Sequence, residues 1–206
     1  MRFSFLNATL LMGLMASTSF AGQFFSVGVK GGVPFTDAFS SVNWQQAEPT
    51  TPPQYVPFVN SPGSLGYIIG ATGEIHLPLG LSVEADALYR PLEISTHQVT
   101  SAATLVTNNS YSSWEFPILG KWRFPFPLIK PYVEAGPSFR TAGGQAGNYL
   151  SNSGFTTGIG VELRVSRLRI GPEIRYTHWA SDSTGAQLFG FKSNQNQGEF
   201  LVGLSF

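Results

Sequence analysis

Along segment after segment of this chain, apolar residues alternate one for one with residues that carry most of its charge, and this two-residue period constrains the fold more than any other feature. Tyr67, Ile69, Ala71, Gly73, Ile75 and Leu77 fall on one face, with Gly70, Thr72, Glu74 and His76 on the other. Side chains that change face at every residue are the signature of a β-strand. Leu81, Val83, Ala85, Ala87 and Tyr89 oppose Ser82, Glu84, Asp86 and Arg90, and Trp114, Phe116, Ile118, Gly120, Trp122 and Phe124 oppose Glu115, Pro117, Leu119, Lys121 and Arg123. Val133, Ala135, Pro137 and Phe139 oppose Tyr132, Glu134, Ser138 and Arg140. Phe155, Thr157, Ile159, Val161, Leu163 and Val165 oppose Glu162 and Arg164, and Leu168, Ile170, Pro172, Ile174 and Tyr176 oppose Arg169, Glu173 and Arg175. Phe25, Val27 and Val29 against Ser26, Gly28 and Lys30, and Phe200, Val202, Leu204 and Phe206 against Glu199, Leu201, Gly203 and Ser205, complete a set of eight.

A soluble two-sheet sandwich also alternates, so the occupants of the polar face must decide between the architectures. That face carries eight acids, Glu74, Glu84, Asp86, Glu115, Glu134, Glu162, Glu173 and Glu199, and eight bases, Lys30, Arg90, Lys121, Arg123, Arg140, Arg164, Arg169 and Arg175. A narrow closed tube demands such balance, because a half-solvated charge without a partner costs several kcal/mol. Segments of about ten residues match a tilted strand crossing the hydrocarbon layer. The expected fold is therefore all-β: an eight-stranded antiparallel up-and-down transmembrane β-barrel with the sixteen charges forming a lumen salt-bridge network. Tyr67, Tyr89, Trp114, Phe139, Phe155 and Tyr176 lie near the same end of their strands on the apolar face, which predicts one interfacial aromatic belt, with Trp122, Phe124 and Phe206 at the opposite rim.

The links between strands alternate in length. Pro78 to Gly80, Pro125 to Leu128 and Ser166 to Arg167 are short; Pro34 to Gly63, Glu93 to Ser112, Thr141 to Asn152 and Ala180 to Asn194 are long. Short links suit periplasmic turns and long ones extracellular loops, with both chain ends in the periplasm. The first long link is rich in Pro and Gln and the second in Ser, Thr and Asn, which predicts that both are mobile.

Residues 1–21 carry Arg2, an apolar stretch from Leu10 to Ala16 and the small-residue ending Ser19-Phe20-Ala21, the pattern of a secretory signal peptide. Residues 22–206 are then one barrel domain, and nowhere in them is there an apolar run of the roughly 18 residues a transmembrane helix needs. The absence of cysteine is compatible with export and decides little. A net charge of zero argues against nucleic acid as a partner, which would require a clustered excess of Lys and Arg.

The run Trp114-Glu115-Phe116-Pro117-Ile118-Leu119-Gly120-Lys121-Trp122-Arg123-Phe124, followed by Lys130-Pro131-Tyr132-Val133-Glu134-Ala135-Gly136-Pro137, resembles the outer-membrane β-barrel domain family, whose superfamily includes the OmpA, OmpX and PorT-like barrels. Phe200, Val202, Leu204 and Phe206 resemble the C-terminal assembly signal read by the barrel assembly machinery in such proteins. The resemblance implies contact with outer-membrane lipid and lipopolysaccharide. It says little about function, because one fold hosts many activities. No further domain is expected after Phe206, so a peptidoglycan-binding role of the OmpA kind is not implied.

Candidate chemistry is sparse. Arg175-Tyr176-Thr177-His178-Trp179-Ala180-Ser181-Asp182 is similar to the outer-rim segment of lipid A deacylases, but those carry His-x-Ser, and position 180 here is Ala, which leaves Ser181 on the other face from His178. The blander expectation sets His178 and Trp179 at a strand end in the interfacial belt. Glu84 and Asp86 read as salt-bridge partners rather than an acid-base pair. His76, His97 and His178 have no ligand spacing, so no metal or cofactor is expected. Gly28, Gly31, Gly158 and Gly160 are followed by no helix and read as relief of crowding, not as a phosphate loop. An eight-stranded tube packed with long Arg and Glu leaves little room for solute. The leading expectation is a surface barrel presenting loops to an extracellular ligand the sequence does not identify; the alternative is a lipid-modifying enzyme using His178. Intact mass and N-terminal sequencing of protein taken from the membrane should give a chain starting at Gly22, and a retained Met1 would overturn the signal-peptide assignment.

Overall fold

The computed structural model describes residues 24–52, 54–63, 66–99, 103–126, 128–144, 150–180 and 192–206; the leader, Ser181 and Asp182 lie outside them. Ten strands follow one another: β1 Phe25–Pro34, β2 Val42–Glu48, β3 Gln54–Pro62, β4 Ile68–His76, β5 Leu81–Val99, β6 Thr104–Arg123, β7 Ile129–Ala142, β8 Ser153–Val165, β9 Leu168–Trp179 and β10 Asn196–Ser205. Eight of them close a ring in the order β1-β4-β5-β6-β7-β8-β9-β10, and every pairing is antiparallel. Closure comes from β1 against β10, with Gly28 opposite Ser205 and Pro34 opposite Glu199. The eight-stranded antiparallel barrel expected from the two-residue period is the fold observed.

Orientation of the faces separates this architecture from a sandwich. Val27, Val29, Ile69, Ile75, Val83, Phe116, Ile118, Val133, Ile159, Ile174 and Leu204 are exposed on the outside, while Lys30, Glu74, Glu84, Asp86, Lys121, Glu134, Arg140, Glu173 and Arg175 are buried inside. Such an inside-out surface is stable only if lipid covers it, because water would leave a continuous apolar band far larger than soluble proteins tolerate. Short turns join the ring where the sequence places short links, the β8–β9 turn being the two residues Ser166 and Arg167: Leu79 and Gly80 take positive φ values of 64° and 76°, and Ser166 takes 59°. Positive φ suits tight hairpins because their backbone twist matches that of the flanking strands.

Two strands lie outside the expected set. The Pro34 to Gly63 link, expected to be mobile, holds the hairpin β2–β3, with Val42 opposite Asn60 and Glu48 opposite Gln54. β3 then pairs with the far half of β5, Phe58 opposite Gln98 and Pro62 opposite Ile94. The Glu93 to Ser112 link is not a loose loop either; it continues β5 and β6 in register from Arg90–Ser113 to Val99–Thr104. The 19 residues of β5 are about twice the 9–11 that a tilted strand needs to cross the hydrocarbon layer. The far halves of β5 and β6 continue past the ring and join β2 and β3 in a four-stranded sheet. Stacking of Trp44 on Phe58, with centroids 4.6 Å apart, pins the hairpin.

An apolar cluster closes the base of this sheet: Ala38, Phe39, Leu92, Ile94 and Leu150 are buried together, with Tyr111 and Ala142 packed against them. Within the ring the unboiled protein should migrate differently from the boiled protein on gels run in detergent; unchanged mobility would contradict a closed, internally braced barrel.

Candidate functional site

The chemistry of the molecule is concentrated in its lumen, and alternation puts it there: each ring strand contributes every second residue to the interior. In the ring order β9 lies four strands from β5, which sets the two on opposite walls, and Arg175 of β9 reaches across the full width. Its Nη2 donates to Glu84 Oε1 at 2.6 Å and lies 2.9 Å from Glu173 Oε1, Nη1 donates to Asp86 Oδ2 at 2.7 Å, and Nε donates to Glu134 Oε1 at 2.7 Å. One guanidinium thus engages four carboxylates from β5, β7 and β9 with none of its side chain exposed. Lys30 Nζ adds Glu84 Oε1 at 2.5 Å, Glu173 Oε1 at 2.8 Å and Asp86 Oδ2 at 3.3 Å, and Lys121 Nζ adds Glu84 Oε2 at 2.6 Å and Glu134 Oε2 at 3.3 Å.

Tyr132 completes the cluster. Its hydroxyl donates to Glu173 Oε2 at 2.6 Å and Lys121 Nζ stands 4.3 Å from its ring centroid. The phenol lies flat across Gly160, where any Cβ would run into the ring, and a Cβ at Gly158 would stand 2.7 Å from Glu134 Oε1. Sequence reasoning read these two glycines as relief of crowding; the groups they make room for are Tyr132 and the Glu134 carboxylate. Tyr132 itself was placed on the lumen face but not in the network, and its position across from Gly160 in the β7–β8 register was the available signal.

A second cluster lies toward the short turns. Arg123 pairs with Glu74 and, through Nε at 2.7 Å, with Glu162, while its Nη1 donates to Ser82 Oγ at 2.8 Å. Arg169 Nη1 contacts His76 Nε2 at 2.6 Å rather than an acid. A cavity of about 30 Å³, large enough for about one water, separates the two clusters and is lined by Lys30, Glu74, Lys121, Arg123 and Arg169 among others.

The end of the lumen away from the short turns differs from the expected network. Arg90 donates to Gln197 Oε1 at 3.1 Å and to the Thr36 carbonyl at 2.6 Å instead of to an acid. Arg140 donates through Nε to the Ser151 carbonyl at 3.0 Å, and its guanidinium lies 4.0 Å from the Trp179 ring centroid. Glu115 and Glu199 are buried here and form no ion pair among the described residues. Between these and the central cluster sits an apolar layer of Ile68, Leu88 and Leu201 that the charge pattern did not disclose. Arg164 is corrected outright: it is exposed and unpaired among the described residues, because it stands opposite Arg169 one residue from the end of β8, where the lumen face has already opened to solvent.

On the outside, Tyr67, Tyr89, Trp114, Phe139, Phe155 and Tyr176 point away from the lumen, and three of them are in ring contact, Tyr67 with Tyr89 at 6.5 Å and Tyr89 with Trp114 at 5.4 Å. Phe200 and Val202 are half-buried on this outer face, and Leu204 and Phe206 are exposed. His178 is exposed, its Nδ1 2.9 Å from Asn196 Oδ1, to which the Tyr176 hydroxyl also donates at 2.6 Å. An amide cannot serve His178 as a nucleophile. Trp179 does not belong to the belt: only 1% of it is exposed, and it points inward onto Arg140 because it shares the face of Glu173, Arg175 and Thr177. Glu84, Glu134 and Glu173 bring carboxylate oxygens within 4.8 Å of one another, but Lys30, Lys121 and Arg175 already fill the positions a metal ion would take.

The model of the outer membrane protein beta-barrel domain family matches residues 7–206, and the chain belongs to that family. Among solved structures it is similar to the outer membrane protein OprG from Pseudomonas aeruginosa, with 12% identity, a TM-score of 0.57, and coverage of 88% of this chain and 93% of that one. It is also similar to Neisserial surface protein A, with 14% identity, a TM-score of 0.50, and coverage of 88% and 95%. At such identities the likeness speaks for the fold alone. No curated protein sequence matches this chain.

Replacing one partner of a buried ion cluster strands the others, at a cost of about 3–5 kcal/mol. Arg175→Met should therefore lower the unfolding free energy of the refolded barrel by that amount in urea titrations, and adding Glu84→Gln and Glu173→Gln to it should recover part of the loss. A change below about 1 kcal/mol in the single variant would show that Arg175 does not brace the ring.

Proposed function

From its place in the outer membrane protein beta-barrel family, we propose that this chain is a non-catalytic barrel, braced across its lumen, that holds a rigid sheet out from the membrane for contact at the cell surface. The observation that carries this reading is the continuation of β5 and β6 past the Tyr89–Trp114 level, reinforced by β2 and β3 into four hydrogen-bonded strands. Loops on rigid scaffolds commonly carry function. Here the rigid part itself is lengthened, so that a binding surface is set at a fixed height and orientation.

The lumen suits a brace better than a pore. Arg175 with four carboxylates, Tyr132, and the Ile68, Leu88 and Leu201 layer stand in series along the path a solute would follow. Opening it would require breaking several buried ion pairs at once. In this reading the short turns and both chain ends face the periplasm and the β2–β3–β5–β6 sheet faces outward. The aromatic belt meets lipid and lipopolysaccharide at the outer boundary, and Phe200, Val202, Leu204 and Phe206 serve the assembly machinery during insertion.

Because the chain has no cysteine, single substitutions report orientation cleanly. Asn108→Cys on β6 should react in intact cells with a maleimide that cannot cross the membrane, and Leu79→Cys at the exposed tip of a short turn should react only after the envelope is opened. The reverse pattern would invert the proposed orientation. In planar bilayers the wild type should give no stable unit conductance, and reproducible porin-like steps would refute the braced lumen.

A further inference from the structure

Where β5 and β6 leave the ring they keep pairing with each other, but β6 loses its other neighbour. The β6–β7 ladder stops at Ser113 opposite Ala142, and just beyond it the Gly143 amide donates to the Ser112 carbonyl at 3.0 Å. From Thr104 to Ser110 no strand lies on that side of β6 among the described residues. The backbone groups of a strand point alternately to its two sides. Ser112 directs its carbonyl away from β5, so Ser110, Asn108, Val106 and Thr104, in steps of two, direct theirs the same way. The partner strand agrees: Glu93, opposite Ser110, turns its carbonyl away from β6 to accept from Gly63 at 2.8 Å. Four residues thus present their N–H and C=O groups in an open row about 20 Å long, at roughly 3.3 Å per residue.

Such a row is a template for another strand unless something guards it, and edges are commonly guarded by charge, proline, a bulge or brevity. None of these is present here. Thr104-Leu105-Val106-Thr107-Asn108-Asn109-Ser110 contains no charged residue and no proline, and its register against β5 runs without a bulge from Ser110–Glu93 to Thr104–Val99. Every one of these residues is exposed, with Leu105 and Val106 on opposite faces of the strand.

What can fill the row is restricted by what stands below it. An added strand continues the line of β7, directly above the wall that β7 and β8 form. Each strand of a second copy is tied to a barrel in the same membrane, and that barrel would have to stand where β7 and β8 already are. The row also offers no ion pair, so a charged segment gains nothing there. We propose that the free side of β6 from Thr104 to Ser110 is an acceptor edge for an extended, uncharged segment of a partner protein that is not itself embedded in the membrane, held by antiparallel main-chain pairing. Main-chain bonds supply the affinity, and exposed Leu105 and Val106 favour β-branched or aromatic residues beside them. That the partner comes from outside the cell rests on the function and orientation proposed above; the acceptor edge does not.

The test is amide hydrogen exchange, read by NMR on the full barrel in detergent, with an alternating threonine–valine peptide as the probe. In the free barrel the amides of Val106, Asn108 and Ser110 should exchange freely, while those of Leu105, Thr107 and Asn109, which face β5, are protected. Adding the peptide should slow exchange of the first set several-fold and leave the second unchanged, and the same peptide N-methylated at every amide should have no effect. Asn108→Pro removes an outward N–H that β5 does not use, so this variant should keep the heat-dependent gel mobility and lose the response. Val106→Lys places a charge on the edge with the backbone intact and should weaken peptide binding several-fold, which keeps the test decisive if the proline variant does not fold. Protection of the outward amides before peptide is added, an equal effect of the methylated peptide, or a response that survives the substitutions would overturn the proposal. Protection that grows with barrel concentration alone would assign the edge to a second copy and overturn it too. Since these measurements are made in detergent, their failure is independent of the cysteine-labelling and conductance results.

Discussion

Everything in this molecule follows from a conflict between a narrow tube and the charges placed inside it. A buried carboxylate or guanidinium loses hydration worth many kcal/mol and recovers it only through close, well-oriented partners. Arg175 resolves the conflict by acting as a strut: its three nitrogens reach Glu84 and Asp86 on the opposite wall, Glu134 on a third wall and Glu173 on its own strand. Lys30 and Lys121 then share what charge remains on Glu84, Glu173 and Glu134. Eight strands fix a bore that these side chains just fill, and the glycines at 158 and 160 lie where the Glu134 carboxylate and Tyr132 need room at the wall.

The outer face needs no such specificity. Val, Ile and Phe rows meet lipid, where shape matching is loose and only the height of the apolar band is constrained. The inside therefore carries the discriminating interactions of the fold and the outside carries its solvent preference, the reverse of a water-soluble protein. That division also explains why a one-residue slip in any strand would be intolerable: it would send an ion into hydrocarbon and an apolar side chain into the ion cluster at the same time.

Much of this was legible in the sequence because a two-residue period assigns every residue to a face without reference to any other strand. Parity placed Glu84, Asp86, Glu134 and Arg175 together. It also contained the direction of Trp179, which shares the odd positions of Glu173, Arg175 and Thr177; the known liking of tryptophan for membrane interfaces pulled that expectation the wrong way. Height was not legible. Arg164 has the parity of a lumen residue, but whether a lumen residue is inside the tube or at its mouth depends on where neighbouring strands end, and that is a property of the register. The β2–β3 hairpin escaped for a related reason. Its proline-rich run reads as loop, and its stability comes from Trp44 on Phe58 and from pairing with β5, contacts between segments far apart in the chain.

The strut has a kinetic side. Its partners come from β5, β7 and β9, so none of its long-range contacts can form within a single hairpin, and the complete set requires the ring to be nearly closed. Interactions that appear only after the main barrier slow unfolding without speeding folding. A barrel built this way is held mainly against reopening. Hairpins such as β5–β6, with continuous register from Leu81–Trp122 to Val99–Thr104, can form early and locally. The same long hairpin continues past the ring into the four-stranded sheet, so that sheet rests on pairing local in sequence while the lumen braces wait for closure.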